Sequence, residues 1–195
     1  MKLHEPEAWA ASRDPGPDAP YADRIAAIIA ALGIPPDYGS RRSMVLHPEA
    51  GALVPARTLP DGRQIHLMPP AACAWAGMVA AAATEGVTLI LVSGFRSADH
   101  QRQIIERRMS QGIRLDEILR VNAAPGYSEH HTGRAVDIGT PGCPPLTEAF
   151  EQTAAFRWLD REAARFGFRL TYPRGNPQGI LYEPWHWCHH GLGAG

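Results

Sequence analysis

The spacing of apolar and polar positions divides the chain into helices and short strands in mixed order. From Ala22 to Leu32 apolar residues recur at helical steps and stop at Gly33, with Pro35 beyond, which predicts an amphipathic helix with a glycine C-cap. Residues 34–62 hold no sustained period and are expected to be loop-rich. Gln64 to Met68 predicts a strand. Pro69 and Pro70 then open an alanine-rich helix that ends near Gly86. Because it is apolar on most faces, that helix is expected to be buried. The continuous aliphatic run Val87 to Val92 predicts a central strand. Ser97 can cap a helix running to about Gln111, and a shorter helix covers Leu115 to Val121. Pro125 and Gly126 break the chain before a strand around Arg134 to Ile138. Thr147 to Phe166 predicts one long amphipathic helix stopped by Gly167. Phe168 to Tyr172 and Ile180 to Cys188 predict two closing strands. This order of elements predicts an α+β fold, with helices packed on a small, mainly antiparallel sheet.

Composition narrows the class. The 195 residues fit one domain with an extension, and 45% apolar residues suffice for a buried core. Lysine plus arginine number 19 against 20 acids, so the surface lacks the basic excess that nucleic acid or an anionic membrane requires. Cys73, Cys143 and Cys188 show no C-x-x-C spacing, and an odd number cannot pair fully, so no disulfide framework is expected. No apolar run is long enough to span a bilayer. Met1 to Ala10 is polar and has no apolar core of a signal peptide, so the chain reads as soluble and cytoplasmic, or periplasmic if a leader was removed. Residues 12–20, rich in Pro, Asp and Gly, read as a flexible lead-in.

Three residues carry the candidate chemistry: His130, Asp137 and His186. Two imidazoles and a carboxylate suit Zn2+ and leave a coordination position open for water, whose pKa such a site lowers from about 15.7 toward roughly 7. The spacing is not the helical H-E-x-x-H pattern. His130 stands at the entry to a strand, Asp137 at that strand's far end, and His186 must come from a neighbouring strand. On ligand types alone the same triad suits non-haem iron. His131, His189 and His190 read as supporting or surface residues. Glu183, three residues before His186, is a candidate general base, provided that Pro184 bends the chain so that both side chains converge. Trp185 and Trp187 can wall the site and raise the basicity of Glu183 by desolvation. Arg96 follows the aliphatic run in Ser-Gly-Phe-Arg-Ser and can meet a carboxylate or an oxyanion with its planar fork. Gln101 lies one helical turn past Ser97.

Together these segments resemble the VanY-type D-alanyl-D-alanine carboxypeptidase family, which is grouped with the VanX-type dipeptidases and shares a metal-site fold with the hedgehog signalling domain. The family pattern Ser-x-His-x-x-Gly-x-Ala-x-Asp is met by Ser128, His130, Gly133, Ala135 and Asp137. Glu183 and His186 meet the later Glu-x-x-His element. Ser93 to Ser97 with Gln101 meet the upstream one, and Tyr172-Pro173 is also similar. The resemblance covers roughly residues 50–190. It implies a zinc metallopeptidase acting on D-Ala-D-Ala or a related bond in peptidoglycan peptides. His130, Asp137 and His186 are then the zinc ligands, and Glu183 the base. Arg96, Gln101 and Ser128 hold the substrate's carbonyl or terminal carboxylate. Residues 1–45 are expected to be an N-terminal extension and 46–195 the catalytic domain. Three rivals stand beside this reading. They are an iron oxygenase, a zinc-stabilised binding module, and an endopeptidase or dipeptidase of the same family.

Overall fold

The structure, a computed structural model, describes residues 20–191. The lead-in up to residue 19 lies outside the described residues. Helix α1 spans Tyr21–Ala31 and is followed by the one-turn α2, Tyr38–Arg41. Strands β1 (Val54–Thr58) and β2 (Gln64–Leu67) pair as an antiparallel hairpin. Then come α3 (Pro69–Thr84), β3 (Ile90–Ser93), α4 (Ala98–Ser110) and α5 (Leu115–Val121). A 3-10 turn at Glu129–Thr132 leads into β4 (Ala135–Gly139). Helix α6 (Ala154–Glu162) precedes β5 (Phe168–Leu170) and β6 (His186–His189). The main sheet runs β3-β4-β6-β5, every pair antiparallel, so the α+β expectation holds.

Two apolar clusters hold these elements. In the larger one, Trp75 and Met78 of α3 and Trp158 and Leu159 of α6 pack with Leu91, Val136, Ile138, Phe168 and Trp187 of the sheet. The second joins Ile25, Ile28 and Ile29 of α1 and Tyr38 of α2 to Ile105 of α4 and Ile118 and Leu119 of α5. The helix read from residues 22–32 is thus packed on the helices that follow Arg96.

Several elements differ from the sequence reading, each for a physical reason. The aliphatic run makes an edge strand, β3, and not a central one. Its free side is covered by the β1–β2 hairpin: Arg57 donates to the Leu91 carbonyl, and the Phe95 N–H donates to His66 O at 2.8 Å. Strand β1 lies in the region read as loop, because Pro55 and a register shift mask its period. Helix α3 buries one stripe, Ala71, Trp75, Met78 and Ala82, rather than every face; its outward alanines expose little apolar area. The predicted helix Thr147–Phe166 is broken. A 3-10 turn over Glu148–Gln152 ends at the extended Thr153, α6 starts afresh, and a second 3-10 turn runs to Gly167 at φ +76°. The last strand begins only at His186, because Pro184 turns the chain before it.

The break at Thr153 is itself a cap. Its hydroxyl accepts from the Phe156 N–H at 3.1 Å. Thr153→Ala is expected to cost about 1 kcal/mol, the usual worth of such a cap. Urea unfolding measures it, and an unchanged midpoint would show that the cap contributes nothing.

Candidate active site

The site is assembled by sheet register. Asp137 on β4 lies directly opposite His186 on β6. The 3-10 turn that precedes β4 brings His130 against both. His130 Nε2 is 3.3 Å from Asp137 Oδ2, and His186 Nδ1 is 3.1 Å from Asp137 Oδ1. One donor atom from each of the three lies within 4.8 Å of the others, and all three side chains are buried. Asp137 sits in the middle of its strand and not at the far end.

Hydrogen bonding fixes what these rings present. His130 Nδ1 is 2.6 Å from the Gly94 carbonyl oxygen, which can only accept, so this nitrogen carries the proton. His186 Nε2 is 3.0 Å from Glu129 Oε2, which likewise accepts. The remaining nitrogens, His130 Nε2 and His186 Nδ1, therefore turn lone pairs toward the Asp137 carboxylate when the rings are neutral. Two lone pairs facing a carboxylate repel unless a cation sits among them. The donor set thus fits a divalent metal, with the orienting acceptors behind each histidine that metal sites require.

The electrostatics agree. Burial opposes charge on His186, but Asp137 and Glu129 override it and push its pKa up to about 10. Burial likewise opposes charge on Asp137, yet the flanking histidines hold its carboxyl far below the usual range. His130 is pushed down by burial, against the pull of Asp137. The cluster concentrates negative potential at one point, and a proton and a metal ion compete for it.

Glu183 enters from the turn before β6. The His186 N–H donates to Glu183 O at 3.0 Å, and Trp187 Nε1 donates to Pro184 O at 2.9 Å, which closes the bend. Glu183 Oε2 lies 3.9 Å from His186 Nδ1, and burial raises its pKa to about 7. Trp185 lines the same cleft, whereas Trp187 belongs to the core. The bend expected at Pro184 is present.

Arg96 is held from both sides. Its Nη1 donates to Gln101 Oε1 at 2.7 Å, while Gln101 Nε2 donates to Ala123 O at 2.8 Å. Its backbone carbonyl accepts from His131 Nδ1 at 2.6 Å. Gln101, 1% exposed, is therefore no ordinary outward helix residue; it aims the guanidinium. Among the described residues no carboxylate forms a salt bridge with Arg96, and Asp137 and Glu183 only offset the effect of burial on its charge. Ser128 is buried beside them. Arg96, Gln101, Ser128, His130, Asp137, Glu183 and His186 all line one cleft of about 380 Å³.

Three contributors were given no role at the site by the sequence reading, although Tyr172 and Gly94 stand in its motifs. Glu129 backs His186 and is held by Thr171 Oγ1 at 2.7 Å, yet an acid next to a histidine is too common to stand out. Tyr172 packs on the His186 ring at 4.9 Å between centroids. Gly94 supplies the carbonyl behind His130. A Cβ there would sit 2.6 Å from His66 O, so glycine is required by close approach. Among the other histidines, His131 is wholly buried and staples the loop, its Nε2 accepting the Gly126 N–H at 3.0 Å.

An antiparallel sheet with packed helices, carrying a buried His-Asp-His cluster in a cleft with an arginine that has no salt bridge among the described residues, defines the class of D,D-peptidase-like folds. The VanY family model, described as D-alanyl-D-alanine carboxypeptidase, matches residues 64–192. The chain belongs to that family. It is 41% identical over 114 residues to YodJ of Bacillus subtilis (strain 168), covering 56% of this chain but only 41% of that protein. Among solved structures, the LdcB LD-carboxypeptidase superposes with a TM-score of 0.67 at 35% identity, over 75% of this chain and 71% of the other. A vancomycin-resistance D,D-pentapeptidase VanY mutant in complex with Zn(II) superposes with a TM-score of 0.55 at 27% identity, over 76% and 88%. Among the described residues no helix is long and apolar enough to cross a membrane.

Proposed function

We propose that this chain is a zinc-dependent D,D-carboxypeptidase that removes the terminal D-alanine from peptidoglycan peptides. One observation carries the reading: His130, Asp137 and His186 converge in the same cleft as a desolvated Glu183 and an Arg96 that has no salt-bridge partner among the described residues. The zinc-bound VanY neighbour and the family description support it. His130, Asp137 and His186 hold the metal, with Gly94 O and Glu129 orienting the two imidazoles. When bound, zinc supplies a Lewis acid that polarises the scissile carbonyl and acidifies a water.

The chain's own groups do the rest. Glu183, held at the cleft wall by the Pro184 bend, takes the proton from the attacking water and returns it to the leaving amine as the C–N bond breaks. Arg96, aimed by Gln101, meets the negative charge that develops on the carbonyl oxygen or the substrate's terminal carboxylate. Ser128 adds a hydroxyl on the same wall. Trp185 keeps bulk water away from Glu183. We place this machinery in residues 46–195. Residues 1–45 form an extension whose described helices buttress α4, the helix that carries Gln101. A second reading, L,D-carboxypeptidase, is favoured by the superposition on LdcB and differs only in the configuration of the residue before the scissile bond.

Metal analysis tests the cofactor. Protein dialysed against a weak chelator is expected to keep one tightly held zinc per chain, and His186→Ala is expected to lose it. Iron in place of zinc would overturn the cofactor, and tight metal retained by the variant would overturn the ligand assignment.

A further inference from the structure

A second cluster of metal-ligating side chains lies behind the first. Glu129, Cys188 and His190 each direct a donor atom to within 4.8 Å of the others. Strand alternation places His186 and Cys188 on the same face of β6, two residues apart, and Glu129 lies against both. His190 follows directly, its main chain fixed by an N–H bond to Gly167 O at 2.8 Å. Cys188 is buried, His190 is exposed, and neither lines the substrate cleft.

Charge gives the cup its reason. Glu129 is 12% exposed, and among the described residues its only salt-bridge partner is His186. With His186 turned to the metal, Glu129 keeps its hydrogen bonds but has no other salt-bridge partner among the described residues. The nearby Arg134 guanidinium is drawn elsewhere, its Nε 3.2 Å from Met68 Sδ. Burial lowers the pKa of His47, and Glu129 works against that fall.

We propose that Glu129, Cys188 and His190 form a second site for a borderline-soft divalent ion of the zinc class, sharing Glu129 with the active-site histidine. A thiolate, an imidazole and a carboxylate select Zn2+, Co2+ or Cd2+ over Mg2+ or Ca2+. On binding, Cys188 gives its thiol proton to solvent as the metal–sulfur bond forms, and Glu129 engages the ion through the oxygen that His186 does not use. Filling this cup draws charge from Glu129 and weakens its hold on His186, so an excess of such ions should inhibit.

Cobalt(II) reads this site apart from the first, because none of His130, Asp137 and His186 is a thiol. In a Cys73→Ser/Cys143→Ser background, Cys188 is the one cysteine left. Cobalt added to that zinc-loaded protein is expected to raise a near-ultraviolet thiolate-to-cobalt band that saturates at a single added equivalent. Cys188→Ser should abolish the band. Since that residue is buried, His190→Ala provides the second variant; it alters an exposed side chain and should shift the titration to higher cobalt. No band in the Cys188-only protein, or a titration unmoved by His190→Ala, would overturn the site. Either result can be read even if the protein hydrolyses no peptide.

Discussion

Glu183→Ala is expected to lower turnover by ~10² to 10⁴-fold, the usual worth of a general base, while zinc content and fold are kept. The separation follows from where the carboxylate sits. Glu183 approaches the ligand cluster at 3.9 Å from His186 Nδ1, but the metal cluster comprises His130, Asp137 and His186 without it. Burial raises its pKa to about 7 in the absence of a cation, and a divalent ion beside it can only draw that value down. The base works deprotonated, so kcat/KM should fall with decreasing pH along a limb centred at or below a pH of about 7, and Glu183→Gln should erase that limb. The same shift has a stability consequence of fixed sign. A carboxyl whose folded pKa is raised favours the folded state most below its unfolded pKa, and loses that contribution as pH rises through about 7. Metal-free Glu183→Gln should therefore be more stable than wild type at pH 8, by roughly 1–3 kcal/mol, as expected when a buried charge is removed from a functional site. Turnover within a few-fold of wild type would remove Glu183 from the mechanism.

What could be read from the sequence depended on whether the signal was local. α4, α5 and β2 have clear starts and stops, and their predicted spans match within a residue or two. The helix read across Thr147–Phe166 failed because an apolar period survives a 3-10 break; only the extended Thr153 shows it, and nothing in the pattern marks that residue as a cap. β3 was misplaced in the sheet for a different reason. An aliphatic run reports burial, and an edge strand covered by the β1–β2 hairpin is buried too. At the site, the donors were visible because residue type and order carry them. Their supports were not. Glu129 reaches His186 across 57 positions, the Gly94 carbonyl has no side-chain signature, and the exposure of Gln101 could not be judged before α4 was packed. Residues that do chemistry are named by their type, whereas residues that aim them are named by tertiary geometry.

The choice of substrate should turn on Arg96. Its guanidinium is buried, aimed by Gln101 at 2.7 Å and paired with no carboxylate among the described residues, which is the basis for proposing that the charge it meets is the substrate's. A lysine keeps the charge but loses the fork and the bond geometry to Gln101. If Arg96 stabilises the developing oxyanion, Arg96→Lys should lower kcat and kcat/KM together, by ~10² to 10³-fold as for loss of one oxyanion donor. If it anchors the terminal carboxylate in the ground state, the same change should raise KM and spare kcat. Gln101→Ala should reproduce the Arg96 pattern in weaker form, because it frees the guanidinium without removing it. The substrate series completes the argument. A peptide ending in D-Ala-D-Ala should be cut far faster than its L-Ala-L-Ala counterpart, since the metal cluster, Glu183 and Arg96 fix three points around the reacting carbonyl. Preference for an L-centre before a terminal D-alanine would move the assignment to L,D-carboxypeptidase. Amidating the terminal carboxylate should slow cleavage in wild type and lose that penalty in Arg96→Ala if the arginine reads the carboxylate. An amide cut as fast as the acid by wild type would show that the enzyme is an endopeptidase, and zinc-loaded protein that cuts none of these peptides would leave a binding module.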